Sequence, residues 1–212
     1  MGLRMRFPEL YAIIDAGVLE QHGVSGAHFA EELRAAGVKL LQYRNKTDGA
    51  QEILRVAAMI RDVFAGPACR LILNDRADLA LLAGWGGVHV GQEDLPPEDA
   101  RRVVDVARWV GVSTHTDEQV RVAEASCADY IAVGPVFATG TKLDAETVIG
   151  LEGVRRARAL TTKPIVAIGG ITRGNARSVI DAGADSVAVI SGLIVDGESV
   201  EKVARDFLDV LR

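Results

Sequence analysis

Eight short apolar runs, rich in β-branched residues, recur along the chain with helical spacing between them, and this alternation limits the fold more than any other feature. The runs are LYAIID (Leu10 to Asp15), VKLLQYR (Val38 to Arg44), RLILND (Arg70 to Asp75), GVHV (Gly87 to Val90), WVGVST (Trp109 to Thr114), YIAVGP (Tyr130 to Pro135), PIVAIG (Pro164 to Gly169) and SVAVIS (Ser186 to Ser191). Each is bounded by Gly, Asp, Asn, Pro or Ser, and none alternates as a half-exposed strand does, so they read as buried parallel strands. Between them, single buried faces repeat every three or four residues: Phe29, Ala30, Leu33 and Ala36; Ile53, Ala57, Ile60 and Phe64; Val200, Val203, Ala204, Phe207, Leu208 and Leu211. Gly37 and Gly183 stand where helices give way to strands, a place for a left-handed C-cap. Asp117 is placed to cap a helix N-terminus.

Eight such pairs predict a (β/α)8 TIM barrel, an α/β fold, with residues 1–212 as a single domain slightly under the usual length of roughly 250 residues. The competing open, doubly wound sheet would carry GxGxxG after an early strand in its dinucleotide form, and DAGVLEQHG does not supply it. A composition of 49% hydrophobic and 25% charged residues in 212 fits one globular unit. The net charge of −5 gives no global field for a polyanion, which argues against nucleic acid or an anionic membrane as partner. Any phosphate must therefore be held locally. Cys69 and Cys127 lie far apart, outside any CxxC, and are expected to be reduced and structural. The N-terminal stretch lacks a long apolar segment or a small-residue cleavage site, so the expected location is cytoplasmic.

In a barrel the chemistry sits at the C-terminal ends of the strands. Gln42, Arg44 and Lys46 in QYRNK occupy alternate positions at the end of the second strand and share a face, which suits an anionic, hydrogen-bonding ligand. Taken alone, such a basic edge is as readily a solvated surface. Asp75 ends the third strand and Asp94 follows the fourth, so two carboxylates come to neighbouring places on the rim, a donor set for Mg²⁺ completed by water and substrate phosphates. Either aspartate could instead cap a helix. Asp78 and Asp99 read as helix-start residues. In GPVFATGTK, Thr139, Thr141 and Lys142 lie in a glycine-containing loop able to close over a phosphate. This loop meets IGGI after the seventh strand and Ser191 after the eighth, where many barrels hold a phosphate. Gly169 and Gly170 permit close approach of an anion or simply make a tight turn. His89, among apolar neighbours, reads as a hydrogen-bonded interior residue, whereas His115 lies nearer the rim and could serve as acid or base.

With QYRNK, ILND, HVGQED, GVSTH, GPVFATGTK and AIGGI in this order and on these strands, the sequence resembles the thiamine phosphate synthase family from about Leu10 to Ser191. The resemblance implies a transferase that joins a hydroxymethylpyrimidine diphosphate to a thiazole phosphate, releasing diphosphate, with two small-molecule substrates and Mg²⁺ as cofactor. It further implies that Gln42, Tyr43, Arg44, Asn45, Lys46, Asn74, Ser113 and Lys142 contact the pyrimidine diphosphate. Arg44, Lys46, Ser113 and Lys142 would act in catalysis, and Asp75 and Asp94 would hold the metal. Thr139, Gly140, Thr141, Gly170, Ile190 and Ser191 would contact the thiazole phosphate. Two other readings are weighed against this one. A related thiazole tautomerase would use His115 and need neither metal nor diphosphate site, and a non-catalytic regulatory barrel would be expected to lack at least one of the charged residues.

Overall fold

The computed structural model describes residues 7–66, 68–139 and 147–212. Eight strands close into one parallel barrel in sequence order: β1 (Leu10–Asp15), β2 (Leu40–Arg44), β3 (Arg70–Asn74), β4 (Gly87–Val90), β5 (Trp109–Thr114), β6 (Tyr130–Val133), β7 (Ile165–Ile168) and β8 (Ser186–Val189). β8 returns to β1 through the pairs Leu10 with Val187 and Ala12 with Val189. The (β/α)8 expectation is therefore met strand for strand.

Helices cover the outside: α1 (Ala16–His22), α2 (Gly26–Ala36), α3 (Ala50–Val63), α4 (Ala77–Leu82), α5 (Pro97–Val104), α6 (Asp117–Ala125), α7 (Gly150–Leu160), α8 (Ala176–Asp181) and α9 (Val200–Leu211). Their apolar stripes face the strands, as the spacing predicts. Ile53, Ala57, Ile60 and Phe64 are buried on the α3 side, and Val200, Val203, Ala204, Phe207 and Leu211 on α9. Truncating a residue such as Phe207 would cost about 3–5 kcal/mol through lost burial and the cavity left behind. Gly37 and Gly183 have φ of 87° and 114°, the left-handed region expected of them. One cap differs from expectation. Thr116, not Asp117, caps α6, its hydroxyl accepting the Gln119 N–H, while Asp117 is the first helical residue, where its charge favours the positive end of the helix dipole.

Alternation along each strand creates two cores. Leu10, Ala12, Ile14, Leu41 and Tyr43 face the helices, whereas Tyr11, Ile13, Leu40, Ile72, Tyr130, Ala132, Val166 and Ala188 fill the barrel. The same two-residue period carries the inward face up to the C-terminal rim. Ile13 pairs with Gln42, Asp15 with Arg44 and Asn74 with His89, so polar side chains replace apolar ones in the top layer of a packed interior. Among the described residues no helix is long and apolar enough to cross a membrane.

Candidate active site

The top layer is built from the ends of β1 to β5. Asp15 is buried, accepts the Val18 N–H at 3.0 Å to start α1, and pairs with the Arg44 guanidinium. This fixes Arg44 over the barrel mouth. Asp15 is absent from the sequence-predicted set, which takes it only as the end of the first strand; it is also the N-cap of α1.

Lys46, beyond the end of β2, forms an ion pair with Asp75 beyond the end of β3. Asp75 and Asp94 lie within hydrogen-bonding reach of each other. The two carboxylates and one ammonium predicted separately from three strands thus meet at one place. Asp94 accepts the Gly91 N–H at 2.7 Å, which tethers it to the turn after β4. Burial pushes the Asp75 carboxyl above its ordinary value; Lys46 opposes this, and the neighbouring Asp94 adds to it. Burial works against charge on Asp94 too, but hydrogen bonds from Asp75 and the Gly91 N–H outweigh it and hold that carboxyl below its ordinary value.

A cation between the two would relieve their repulsion. Among the described residues no cluster of three or more His, Cys, Asp or Glu makes a complete metal cage. Two crowded carboxylates therefore fit an ion such as Mg²⁺, which keeps several waters and takes phosphate oxygens as ligands. Next in sequence to Asp75, the Asn74 Nδ2 is buried with no hydrogen-bond partner among the described residues. Leaving such a donor unpaired costs about 1–3 kcal/mol, which makes Asn74 a candidate donor to a bound acceptor.

Gln42 and Ser113 occupy opposite sides of the same layer. Gln42 is buried and donates from Nε2 to the Tyr11 hydroxyl at 2.8 Å. The Ser113 hydroxyl lies 2.9 Å from His89 Nε2, and its carbonyl accepts the Gln92 amide at 2.6 Å. His89 is the buried, hydrogen-bonded residue its surroundings predict, with Nδ1 at Tyr130 and Nε2 at Ser113.

Two residues implied by the family resemblance stand elsewhere. Tyr43 points into the outer core against Trp85, with ring centroids 6.5 Å apart, because its position in β2 has the opposite parity to Gln42 and Arg44. Asn45 is committed to the loop after β2. Its Nδ2 donates to Tyr43 Oη and Asp48 Oδ2, and its Oδ1 accepts the Thr47 and Asp48 N–H groups.

On the far rim, the segment leaving β6 runs beside the loop after β7. Val136 donates to the Ile168 carbonyl at 2.9 Å and Phe137 to that of Gly169 at 3.0 Å. Gly170 has a φ of 63°, and a Cβ there would stand 2.5 Å from the Ala138 oxygen. The glycines after β7 thus do more than make a turn: they let two rim loops touch. Thr139 is exposed at the end of this leg, and Ile190 and Ser191 follow β8, with Ser191 opening a short 3-10 helix (Ser191–Leu193). Gly140, Thr141 and Lys142 lie outside the described residues. His115 Nδ1 stands 2.7 Å from the Gly134 carbonyl, so that nitrogen carries a proton and braces the chain as it leaves β6.

Comparison with known proteins agrees with this geometry. The family described as thiamine monophosphate synthase matches residues 10–193. Thiamine-phosphate synthase of Koribacter versatilis is 52% identical over 100% of this chain and 99% of its own. That of Methanosarcina mazei is 39% identical over 96% of this chain and 83% of its own. The solved thiamine phosphate pyrophosphorylase from Pyrococcus furiosus superposes with a TM-score of 0.85 at 32% identity, covering 96% of this chain and 95% of that one. A KDPGal structure, 18% identical with a TM-score of 0.71 over 99% of this chain and 97% of its own, shares the fold alone. From the strand order, the polar rim and these matches together, the chain belongs to the thiamine monophosphate synthase family.

Proposed function

We propose that this protein is a thiamine-phosphate synthase whose whole chain serves as one catalytic domain, joining a hydroxymethylpyrimidine diphosphate to a thiazole phosphate with Mg²⁺. The observation that supports the site assignment is the meeting of Lys46, Asp75 and Asp94 near Asn74, whose Nδ2 has no partner among the described residues.

In this reaction the bond between the pyrimidine's methylene carbon and the diphosphate oxygen breaks, and its electron pair leaves with the diphosphate. The thiazole nitrogen supplies the pair for the new carbon–nitrogen bond. That nitrogen carries no proton, so no general base is needed. Negative charge grows on the leaving oxygen, and fixed cations stabilise it where it develops. Arg44 is aimed by Asp15, and Lys46 is held at the carboxylate pair. Asp75 and Asp94 would hold Mg²⁺, which when bound supplies charge neutralisation to the diphosphate. Lys46, held at Asp75, would place its ammonium beside the phosphates. Asn74 and Ser113 orient the pyrimidine diphosphate from inside the barrel mouth. The loops after β6, β7 and β8, with Thr139, Gly140, Thr141, Gly170, Ile190 and Ser191, receive the thiazole phosphate, and Lys142 adds a charge to the departing diphosphate. Tyr43 and Asn45 act indirectly, by shaping the loop that carries Lys46. A barrel with a balanced surface and no transmembrane helix among its described residues fits a cytoplasmic enzyme of small substrates.

The test is to incubate the purified chain with both substrates and Mg²⁺. Thiamine phosphate and diphosphate should form in equal amounts. Absence of product with both substrates saturating would reject the proposal.

A further inference from the structure

A chain of hydrogen bonds crosses the barrel interior from Gln42 on β2 to Ser113 on β5. Gln42 Nε2 lies 2.8 Å from Tyr11 Oη, Tyr11 Oη 3.0 Å from Tyr130 Oη, Tyr130 Oη 3.0 Å from His89 Nδ1, and His89 Nε2 2.9 Å from Ser113 Oγ. Five side chains from five different strands are joined, and Tyr11 and Tyr130 are fully buried.

With the Gln42 amide oriented so that Nε2 faces Tyr11, proton accounting gives this chain a direction. The Gln42 amide nitrogen can only donate, so Tyr11 Oη accepts. The Tyr11 hydrogen then goes to its other neighbour, Tyr130 Oη. Tyr130 has one hydrogen of its own, and the remaining neighbour is His89 Nδ1, which must accept it with a lone pair. A neutral imidazole accepting at Nδ1 carries its proton on Nε2. That proton is donated to Ser113 Oγ, which leaves the serine hydrogen to be given to a further group. Burial pushes both tyrosine hydroxyls above their ordinary range, so both keep their hydrogens at neutral pH.

We infer that Tyr11, Tyr130 and His89 are positioning residues that preset the Ser113 hydroxyl as a hydrogen-bond donor, so that the site selects a pyrimidine diphosphate presenting an acceptor at that point. This rests on the synthase reading for the identity of the ligand, but the polarity of the network does not. The barrel is thereby more than a packed scaffold: its polar layer fixes the orientation of one hydrogen at the rim.

Two measurements test it. Long-range ¹⁵N NMR of the ligand-free protein at pH 8 should give His89 as the Nε2–H tautomer, with Nδ1 showing the shift of an unprotonated acceptor. Tyr130→Phe should remove the hydrogen bond to Nδ1 and move that signal. It should also raise the KM for the pyrimidine diphosphate roughly five- to tenfold, the loss expected for one hydrogen bond, with the KM for the thiazole phosphate unchanged. In a Ser113→Ala background the same substitution should have no further effect on KM, which a merely structural role would not produce. An Nδ1–H tautomer in the unsubstituted protein overturns the inference. So does a Tyr130→Phe variant whose melting temperature falls while neither the His89 signal nor the pyrimidine KM moves. Because the spectrum is recorded without substrate, a correct Nε2–H signal in a protein that makes no thiamine phosphate would reject the synthase reading and the serine's substrate role with it, while leaving the network's direction standing.

Discussion

Asp75 has a φ of 60°, a left-handed conformation that costs most L-residues about 1–2 kcal/mol and that aspartate and asparagine tolerate best. Asp75→Asn therefore keeps the backbone while removing the charge, and Asp94→Asn retains an oxygen for the Gly91 N–H. Each variant is expected to melt within a few degrees of the parent and to lose at least about a hundredfold in turnover, the scale on which metal-centred charge stabilisation acts. Calorimetry and steady-state assays on the same samples check both halves. Asp75→Val should add a loss of stability that the asparagine variant lacks. At this scale the sequence is informative about which residues share a face and silent about which are already occupied. Gln42, Arg44 and Lys46 are legible from alternation alone, as are Asp75 and Asp94 from their places at strand ends. Tyr43 and Asn45 entered only through family resemblance, and their parity and turn bonds direct them elsewhere. Tyr11 and Tyr130 were invisible as polar participants, since a tyrosine in an apolar strand looks like core until its hydroxyl finds a partner across the barrel.

Strand cores are legible throughout and both ends are so for β1, β4 and β5, while the other strands differ by one or two residues at one or both ends. β2 begins at Leu40 rather than Val38, and β6 stops at Val133, ahead of Pro135, which has no N–H for a ladder. In a barrel the loops that follow the strands carry the chemistry, and their contacts depend on residues distant in sequence. Gly170 illustrates this. Its sequence context says turn, whereas its surroundings require the absence of a Cβ so that Ala138 can approach. Gly170→Ala is expected to push the loop after β6 outward, lower stability by about 1–3 kcal/mol and raise the KM for the thiazole phosphate several-fold, with a smaller effect on the pyrimidine diphosphate. Thermal melts and separate KM determinations for the two substrates measure it. In His115→Asn, the asparagine amide can still donate to the Gly134 carbonyl, so synthase turnover should stay within roughly tenfold of the parent, one hydrogen bond of altered geometry being the only loss.

Across the whole molecule, closure of the barrel brings residues from position 15 to position 191 to one rim, and the alternation of strand and helix was sufficient to predict it. Under the proposed function, the charged set on that rim is what separates condensation of two phosphorylated substrates from proton movement on one of them. The most direct measurement is thiamine phosphate formation in EDTA, then with Mg²⁺ restored, for the parent protein and for His115→Asn. The account predicts no product in EDTA, full recovery with Mg²⁺, and substantial activity in the variant. Metal-independent isomerisation of a thiazole phosphate that vanishes with His115, and no thiamine phosphate under any metal condition, would contradict it.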